Sequence, residues 1–494
     1  MSQNAQQIIV VANREPYTHE RDEQGQLRIR RAGSGVVNAV EPLLRKCSGV
    51  WVGHGAGSAD RETALERDGL HVPPDAPQFR LRRVWLSEKE ERAYYDGFAN
   101  SGLWPLCHRT YVQPVFRADD FQTYHDVNHR FACAVQDEAV GDLPIVLVQD
   151  YHFGLVPLMI RRRLRSAAVA MFWHIPWPDW QTFATCPWRR EILQGLLGSD
   201  VLGFQTPCDC FNFVETVDRI LGAEIDFGEG VITYRGRRAL VRDYPASIQW
   251  PGNWASVGPI SSCRDAVRAQ LHLDRHTLLG VGVDRLDYTK GIEEKFLAIE
   301  RLLETHRELR GRFVFVQLAE PSRARLAVYR AARLRIAQTM ERINDRFGSD
   351  EYQPIRLTEA RHSTADIARH FRAADVCFVG SLHDGMNLVA KEFVAARDDE
   401  QGVLVLSEFA GAANELDDAV IVNPHDVNAA AEALARALAI SSGEQRERMR
   451  RMRAVVRNHD AHAWARQIMR DVRDASSQAR EAAAAETDAS VAAC

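Results

Sequence analysis

The chain has 494 residues, 46% hydrophobic and 26% charged, with a formal net charge of −5 at pH 7. That balance excludes a general nucleic-acid binder, which needs a basic face, and the length suits about two to four domains. The opening stretch MSQNAQQIIVVANRE lacks a basic n-region, and no window approaches the roughly 18 apolar residues of a membrane span. The nine cysteines are scattered, and the spacing of Cys208 and Cys210 matches no common zinc pattern. Reduced thiols in a cytoplasmic protein are therefore expected.

In chain order, the first predicted strand is the apolar run Ile8–Ala12, with Arg14 just beyond its end. The stretch RAGSGVVNAVEPLL then sets Gly33 and Gly35 before a helix, where a backbone can approach a ligand closely. The aromatic stretch YYDGFANSGLWPLCH reads as loop-like; Tyr94, Tyr95, Phe98 and Trp104 form either a sugar-stacking wall or a satellite core. Strands are predicted at Ile145–Val148, ending on Asp150 and His152, and at Ala168–Trp173, ending on His174. A zinc reading of His54, His152 and His174 fits poorly, because none of the usual close ligand pairs occurs. After a further strand at Val201–Phe204, the aperiodic DYPASIQWPGNW marks a domain boundary, placed at residue 245.

The second half opens on the strand Leu278–Val283, followed by the loop DRLDYTKG and a helix beginning near Gly291. Arg285 and Lys290 sit in that loop, at the carboxyl edge of a parallel strand where α/β proteins bind ligands. Two cations and a helix N-terminus suit a diphosphate; the alternative is a solvated loop with an Asp287–Lys290 surface pair. Strands follow at Phe313–Ala319 and Val376–Gly380. Next, SLHDGMNLVAKEF offers Asp384, a helix cap at Asn387, the N–H groups of Leu388 and Val389, and Glu392 inside the helix. The alternative there is a capped helix with a solvated glutamate. The last strands are Val403–Ser407 and Ala419–Asn423. Apolar runs of this length without strict alternation suit parallel strands buried on both faces, so the fold class is α/β. From residue 476 the chain is alanine-rich and low in complexity, and a frayed or disordered tail is expected to residue 494.

Taken together and in this order, DYH, HIPWP, DRLDYTKG, DGMNLVAKEFVAA and VLVLSEFAGAANEL resemble the trehalose-6-phosphate synthases, retaining glycosyltransferases of the GT-B type. The resemblance covers about residue 8 to about residue 470. It implies two Rossmann-like domains facing each other across a deep cleft. Residues 1–245 would bind the acceptor and residues 246–459 the nucleotide sugar, with a helix at about 460–475 crossing back to the first domain. It implies transfer of glucose from UDP-glucose to glucose 6-phosphate. These two small molecules would be the partners, with no cofactor and no metal, and a homo-oligomer, dimer or tetramer, is compatible with it. Carried over by motif, Arg285 and Lys290 clamp the donor diphosphate, and Gly35 lies close to it. Leu388 and Val389 offer N–H groups beside Asn387. Glu392 holds the ribose, Asp384 the transferred glucose, and His362 lies near the base. Arg14 and Arg323 hold the acceptor phosphate, while Tyr95, Trp104 and Asp150 shape the acceptor pocket. His174 touches the donor glucose near the reacting bond, and the catalytic set is Arg285, Lys290, His174 and Asp150.

The chain departs from the family pattern at His54, Gln149, His362 and His383. The first two bear on the acceptor and His362 on the base. Two other readings stand beside this one: another phosphorylated acceptor, such as glycerol 3-phosphate or a cyclitol phosphate, or a catalytically silent sugar-nucleotide sensor. The silent sensor would be expected to lose some of Arg285, Lys290, Asp384 and Glu392, and all four are present.

Overall fold

Each apolar run forms a strand, and burial explains why: every residue of Ile145–Gln149, Ala168–Phe172, Val201–Phe204 and Val403–Ser407 is buried. The structure is a computed structural model that describes residues 6–31, 35–47, 49–64, 69–141 and 143–492. The chain divides into two compact units, Met1–Pro245 with His462–Cys494, and Ala246–Ala461.

The first unit holds a ten-stranded sheet. Its parallel run is ordered Arg237–Asp243, Val201–Phe204, Ala168–Phe172, Ile145–Gln149, Ile8–Arg14, Val50–His54 and Phe79–Val84. Antiparallel strands close both edges. From Ile8–Arg14 the chain builds outward in one direction, returns, and builds outward in the other from Ile145–Gln149. The order reverses between these two strands, which makes their carboxyl ends a topological switch point.

The second unit repeats the logic with six strands, all parallel, ordered Ile355–Glu359, Phe313–Glu320, Leu278–Arg285, Val376–Val379, Val403–Ser407 and Val420–Val422. Here the reversal falls between Leu278–Arg285 and Val376–Val379. Phe296, Ile299, Leu302 and Leu303 of the helix Ile292–Thr305 pack with Phe313 and Phe315 on one face of the sheet. Phe371, Phe393 and Val394 pack with Leu404 and Leu406 on the other.

Two local structures differ from expectation. The aromatic stretch is not a loop: Arg92–Leu103 forms a 12-residue π-helix, followed by a short α-helix Trp104–Cys107. Gly97 and Gly102 let it pack closely, since a Cβ at either would lie 2.6 Å from Asp120 or 3.1 Å from Phe116. The alanine-rich end is helical as well. A single helix runs Ala461–Ala492, through the stretch expected to fray, in keeping with the high helix propensity of alanine. Its first turns are tied to the first unit: Trp464 donates to the Tyr244 carbonyl at 3.1 Å, and Asp471 accepts from the Tyr244 hydroxyl at 2.7 Å. Among the described residues, no helix is long and apolar enough to cross a membrane.

Candidate active site

In the second unit, the two loops at the switch point meet. The strand Leu278–Arg285 ends on Arg285, a short 3-10 turn Tyr288–Lys290 follows, and Gly291 starts the next helix. Gly291 has φ +60°, and a Cβ there would sit 2.0 Å from the Gly380 carbonyl oxygen. Only a residue without a side chain fits both demands. On the facing loop, a Cβ at Gly411 would lie 1.9 Å from the Gly385 carbonyl. These close approaches bring the Lys290 ammonium onto the Asp384 carboxylate. Asp384 also accepts from Asn387 Nδ2 at 3.1 Å and Ser381 Oγ at 3.3 Å.

The alternative of a solvated Asp287–Lys290 pair is overturned. Asp287 is buried, and its carboxylate faces Arg323 at 3.2 Å and Arg285 at 3.7 Å. Its other oxygen accepts from the amide and hydroxyl of Thr289, each at 3.1 Å. Burial alone would raise this carboxyl, but Arg323, then Arg285 and Lys290, hold it below the ordinary carboxylate range. Lys290 is free to face Asp384 because Asp287 is turned inward.

Asn387 caps the helix Leu388–Ala396, accepting from the Ala390 amide at 3.2 Å, and holds φ +73° to do so. The Leu388 and Val389 amides fall in the first turn, whose N–H groups have no partner within the helix. They follow directly on the loop that carries Asp384. A guanidinium, an ammonium and a helix N-terminus at one switch point can hold a polyanion.

Glu392 lies one turn further along that helix, half-buried, and among the described residues no side chain pairs with it. Burial pushes its carboxyl up to about 7. The folded chain therefore holds a proton there that the unfolded chain releases near the usual value of 4.5. Stability is lost as pH rises from that value through about 7, by up to about 3 kcal/mol. Glu392→Gln is expected to raise the melting temperature of the ligand-free protein by several degrees at pH 8.5 and by little at pH 5. Thermal melts at the two pH values check this; equal shifts at both would contradict it.

Arg323 follows the strand Phe313–Glu320 and adopts φ +45°. Its side chain is only 4% exposed, lies over the Tyr329 ring, and contacts the Tyr329 hydroxyl and Asp287. His362 stands on the loop before the helix Thr364–Ala373, its Nε2 3.3 Å from the Thr358 carbonyl.

In the first unit the switch point gathers Arg14, Asp150 and His174. Arg14 ends its strand and is exposed. The next residue, Glu15, is buried against Arg83 at 2.7 Å, and Arg83 also reaches Asp60 at 2.7 Å. Burial and the hydrogen bond to Asp60 push the Glu15 carboxyl up to about 9. For Asp60, hydrogen bonds from His19 and Glu15, together with Arg83, outweigh burial and hold it far below the usual range. This cluster pins the chain directly after Arg14.

Asp150 adopts φ +78°, a strained backbone for aspartate of the kind concentrated at functional sites. Its carboxylate accepts from the amides of Tyr151 at 3.0 Å and His174 at 3.2 Å, joining the ends of two neighbouring strands. His174 Nε2 lies 3.0 Å from Gln149 Oε1, so Nε2 carries the hydrogen. Burial lowers the imidazole to about 3, and it is neutral. Tyr95 stacks on His152 with ring centroids 5.4 Å apart, and buried Trp104 stacks on His108 at 4.1 Å. The buried Tyr94 and Phe98 lie in an aromatic core with Tyr124, while Tyr94 bonds Asn13 at 3.0 Å. Burial also lowers the His54 imidazole at the end of Val50–His54. Gly35 opens the helix Gly35–Cys47, and Gly33 lies outside the described residues. Among the described residues, no group of three or more His, Cys, Asp or Glu is arranged to hold a metal ion.

Sequence reasoning missed Asp287 as part of these sites, and it named Gln149 as bearing on the acceptor without its contact to His174. The DRLDYTKG motif contains Asp287, but nothing local says that its partner is an arginine 36 residues on.

Two doubly wound α/β units, each with charged groups at the switch point of its sheet, define a class of fold that binds ligands at the carboxyl ends of its strands. The family model for glycosyltransferase family 20 matches residues 6–474, and the chain belongs to that family. A trehalose-6-phosphate synthase of Mycolicibacterium vanbaalenii is 38% identical over 477 residues, covering 94% of this chain and 95% of that protein. Two solved structures are similar over their whole length. One, a trehalose-6-phosphate protein of E. coli bound with UDP-2-fluoro glucose, has a TM-score of 0.84 at 30% identity, covering 94% of this chain and 98% of its own. The other, an alpha,alpha-trehalose-phosphate synthase (UDP-forming) of Burkholderia xenovorans in complex with glucose-6-phosphate, has a TM-score of 0.82 at 32% identity, covering 94% and 100%.

Proposed function

We propose that this glycosyltransferase moves glucose from UDP-glucose to glucose 6-phosphate, releasing UDP and forming α,α-trehalose 6-phosphate with retention at the anomeric carbon. The observation that carries this reading is the constellation at the second unit's switch point: Arg285 and Lys290 on one loop, Asp384 and a capped helix N-terminus on the other. The relatives named for this synthesis, and the solved ones holding UDP-2-fluoro glucose or glucose-6-phosphate, support it.

In this reading Arg285 and Lys290 bind the diphosphate, with the Leu388 and Val389 amides beside it. The diphosphate draws the ammonium from Asp384, whose carboxylate then accepts from hydroxyls of the glucose. As the sugar–phosphate bond breaks, charge grows on the leaving oxygen. Fixed cations and a helix end stabilise that charge more in the transition state than in the ground state. That is the service a metal performs elsewhere, and the reading calls for no metal or cofactor, UDP-glucose being a co-substrate. Glu392 accepts from the ribose, and His362 lies near the base. Ribose hydroxyls favour the ionised glutamate, so donor binding below pH 7 releases a proton.

Arg323 holds the acceptor phosphate by its planar fork. Tyr95, Trp104 and Asp150 shape the acceptor pocket. A neutral His174 hydrogen-bonds a sugar hydroxyl without adding charge beside the reacting carbon. No carboxylate is assigned as a nucleophile, and the leaving phosphate oxygen itself takes the acceptor's proton. We assign the protein to the cytoplasm, where both substrates would be met.

The test is UDP release from UDP-glucose with and without glucose 6-phosphate, with the product identified by mass and by its lack of a reducing end. Acceptor-dependent release of UDP with a non-reducing disaccharide phosphate is expected. Release with glycerol 3-phosphate but not with glucose 6-phosphate would replace the acceptor. No release with any phosphorylated acceptor would leave the silent sensor.

A further inference from the structure

Asp287 has no part in the reactions just described, yet it touches two of their cations. Its Oδ1 is fixed by two donors, the amide and hydroxyl of Thr289 at 3.1 Å. That aims Oδ2 at Arg323 Nη1, 3.2 Å away, and at Arg285 Nη2, 3.7 Å away. The Tyr329 hydroxyl lies 3.5 Å from the same oxygen and also contacts Arg323. The two arginines come from different loops, at the ends of neighbouring strands paired in register at Arg285 and Glu320. One is mostly buried and the other a third exposed. Arg323 also holds a positive φ, a strain that persists only where surrounding contacts fix the residue.

A carboxylate that only stabilised the fold would have no reason to divide one oxygen between two guanidiniums at the ligand edge of the sheet. We infer that Asp287 is a positioning residue that sets Arg285 and Arg323 together, so that the donor diphosphate site and the acceptor phosphate site share one anchor. This rests on the roles proposed above for the two arginines. Its physical content is orientation. A guanidinium has five donors in a fixed fork, and holding one edge on Asp287 aims the other edge at phosphate. Without that hold each arginine keeps its charge but loses its direction, and both substrates are affected.

Double-mutant cycles test this, with kcat/KM read separately for UDP-glucose and glucose 6-phosphate. Asp287→Asn is expected to lower both values about tenfold or more. In an Arg323→Ala background the same change is expected to alter the acceptor value by less than about threefold, and in an Arg285→Ala background the donor value likewise. Equal losses in wild-type and arginine-deleted backgrounds would overturn the inference, because a purely structural carboxylate acts additively. If Arg285→Ala and Arg323→Ala themselves keep full kcat/KM, the proposed roles of the arginines fail and the inference falls with them. Because Asp287→Asn leaves the buried Arg323 without its counter-charge, Tyr329→Phe provides a milder probe. It removes the hydroxyl next to Arg323 and is expected to raise the acceptor KM about threefold to tenfold with donor KM and Tm held. Movement of the donor KM alone, or of neither, would count against the inference.

Discussion

Lys290→Ala is expected to lower turnover about a thousandfold while the fold survives. The ammonium is the compact charge of the proposed clamp, and a leaving diphosphate gains most from charge already in place. The fold survives because the carboxylate left behind is not stranded: Asp384 keeps donors from Asn387 and Ser381. Steady-state kinetics with circular dichroism on the same preparation separates the two effects. Turnover within a few-fold of wild type would remove Lys290 from the clamp. Lys290→Arg is not a neutral control. A guanidinium is broader than an ammonium, and the Gly291–Gly380 approach confines the loop.

Arg323→Ala is expected to raise the KM for glucose 6-phosphate about a hundredfold, the scale of a lost charge-assisted pair, and the KM for UDP-glucose far less. Arg323 is nearly buried against Tyr329 and Asp287. Its removal opens a space and leaves Asp287 with Arg285 and Thr289 as partners. Thermal melts read that structural cost, and the kinetic split reads the functional one. A larger change in the donor KM would move Arg323 out of the acceptor pocket.

The sequence made the interior of both sheets legible because strands buried on both faces must be continuously apolar. It hid those strands whose polar residues are satisfied from far away. FRLRRV, residues 79–84, looks like a surface segment, but Arg83 is buried in the Glu15 and Asp60 cluster, and Arg80 reaches Glu138 at 2.9 Å. Neither partner is local. The π-helix escaped for a related reason: its contacts recur at a spacing that matches neither the helical nor the strand pattern, and its glycines mimic a loop. At the sites, position along the chain indicated which charged groups end strands. It does not show their pairing: the carboxylate that Lys290 meets is Asp384, 94 residues away, and not the nearby Asp287 offered by the alternative reading.

The glycines that bring the two loops of the second unit together carry no chemistry, and this separates two kinds of inheritance. Gly291 and Gly411 answer to backbone packing, so any descendant that folds this way must keep them. Lys290 answers to Asp384 and, in the proposed function, to the donor diphosphate. On the proposed function, a family member that retained both glycines but replaced Lys290 and Asp384 would have kept the architecture and abandoned the transfer. Those four positions form a short genomic test for sorting working enzymes from relatives turned to another use.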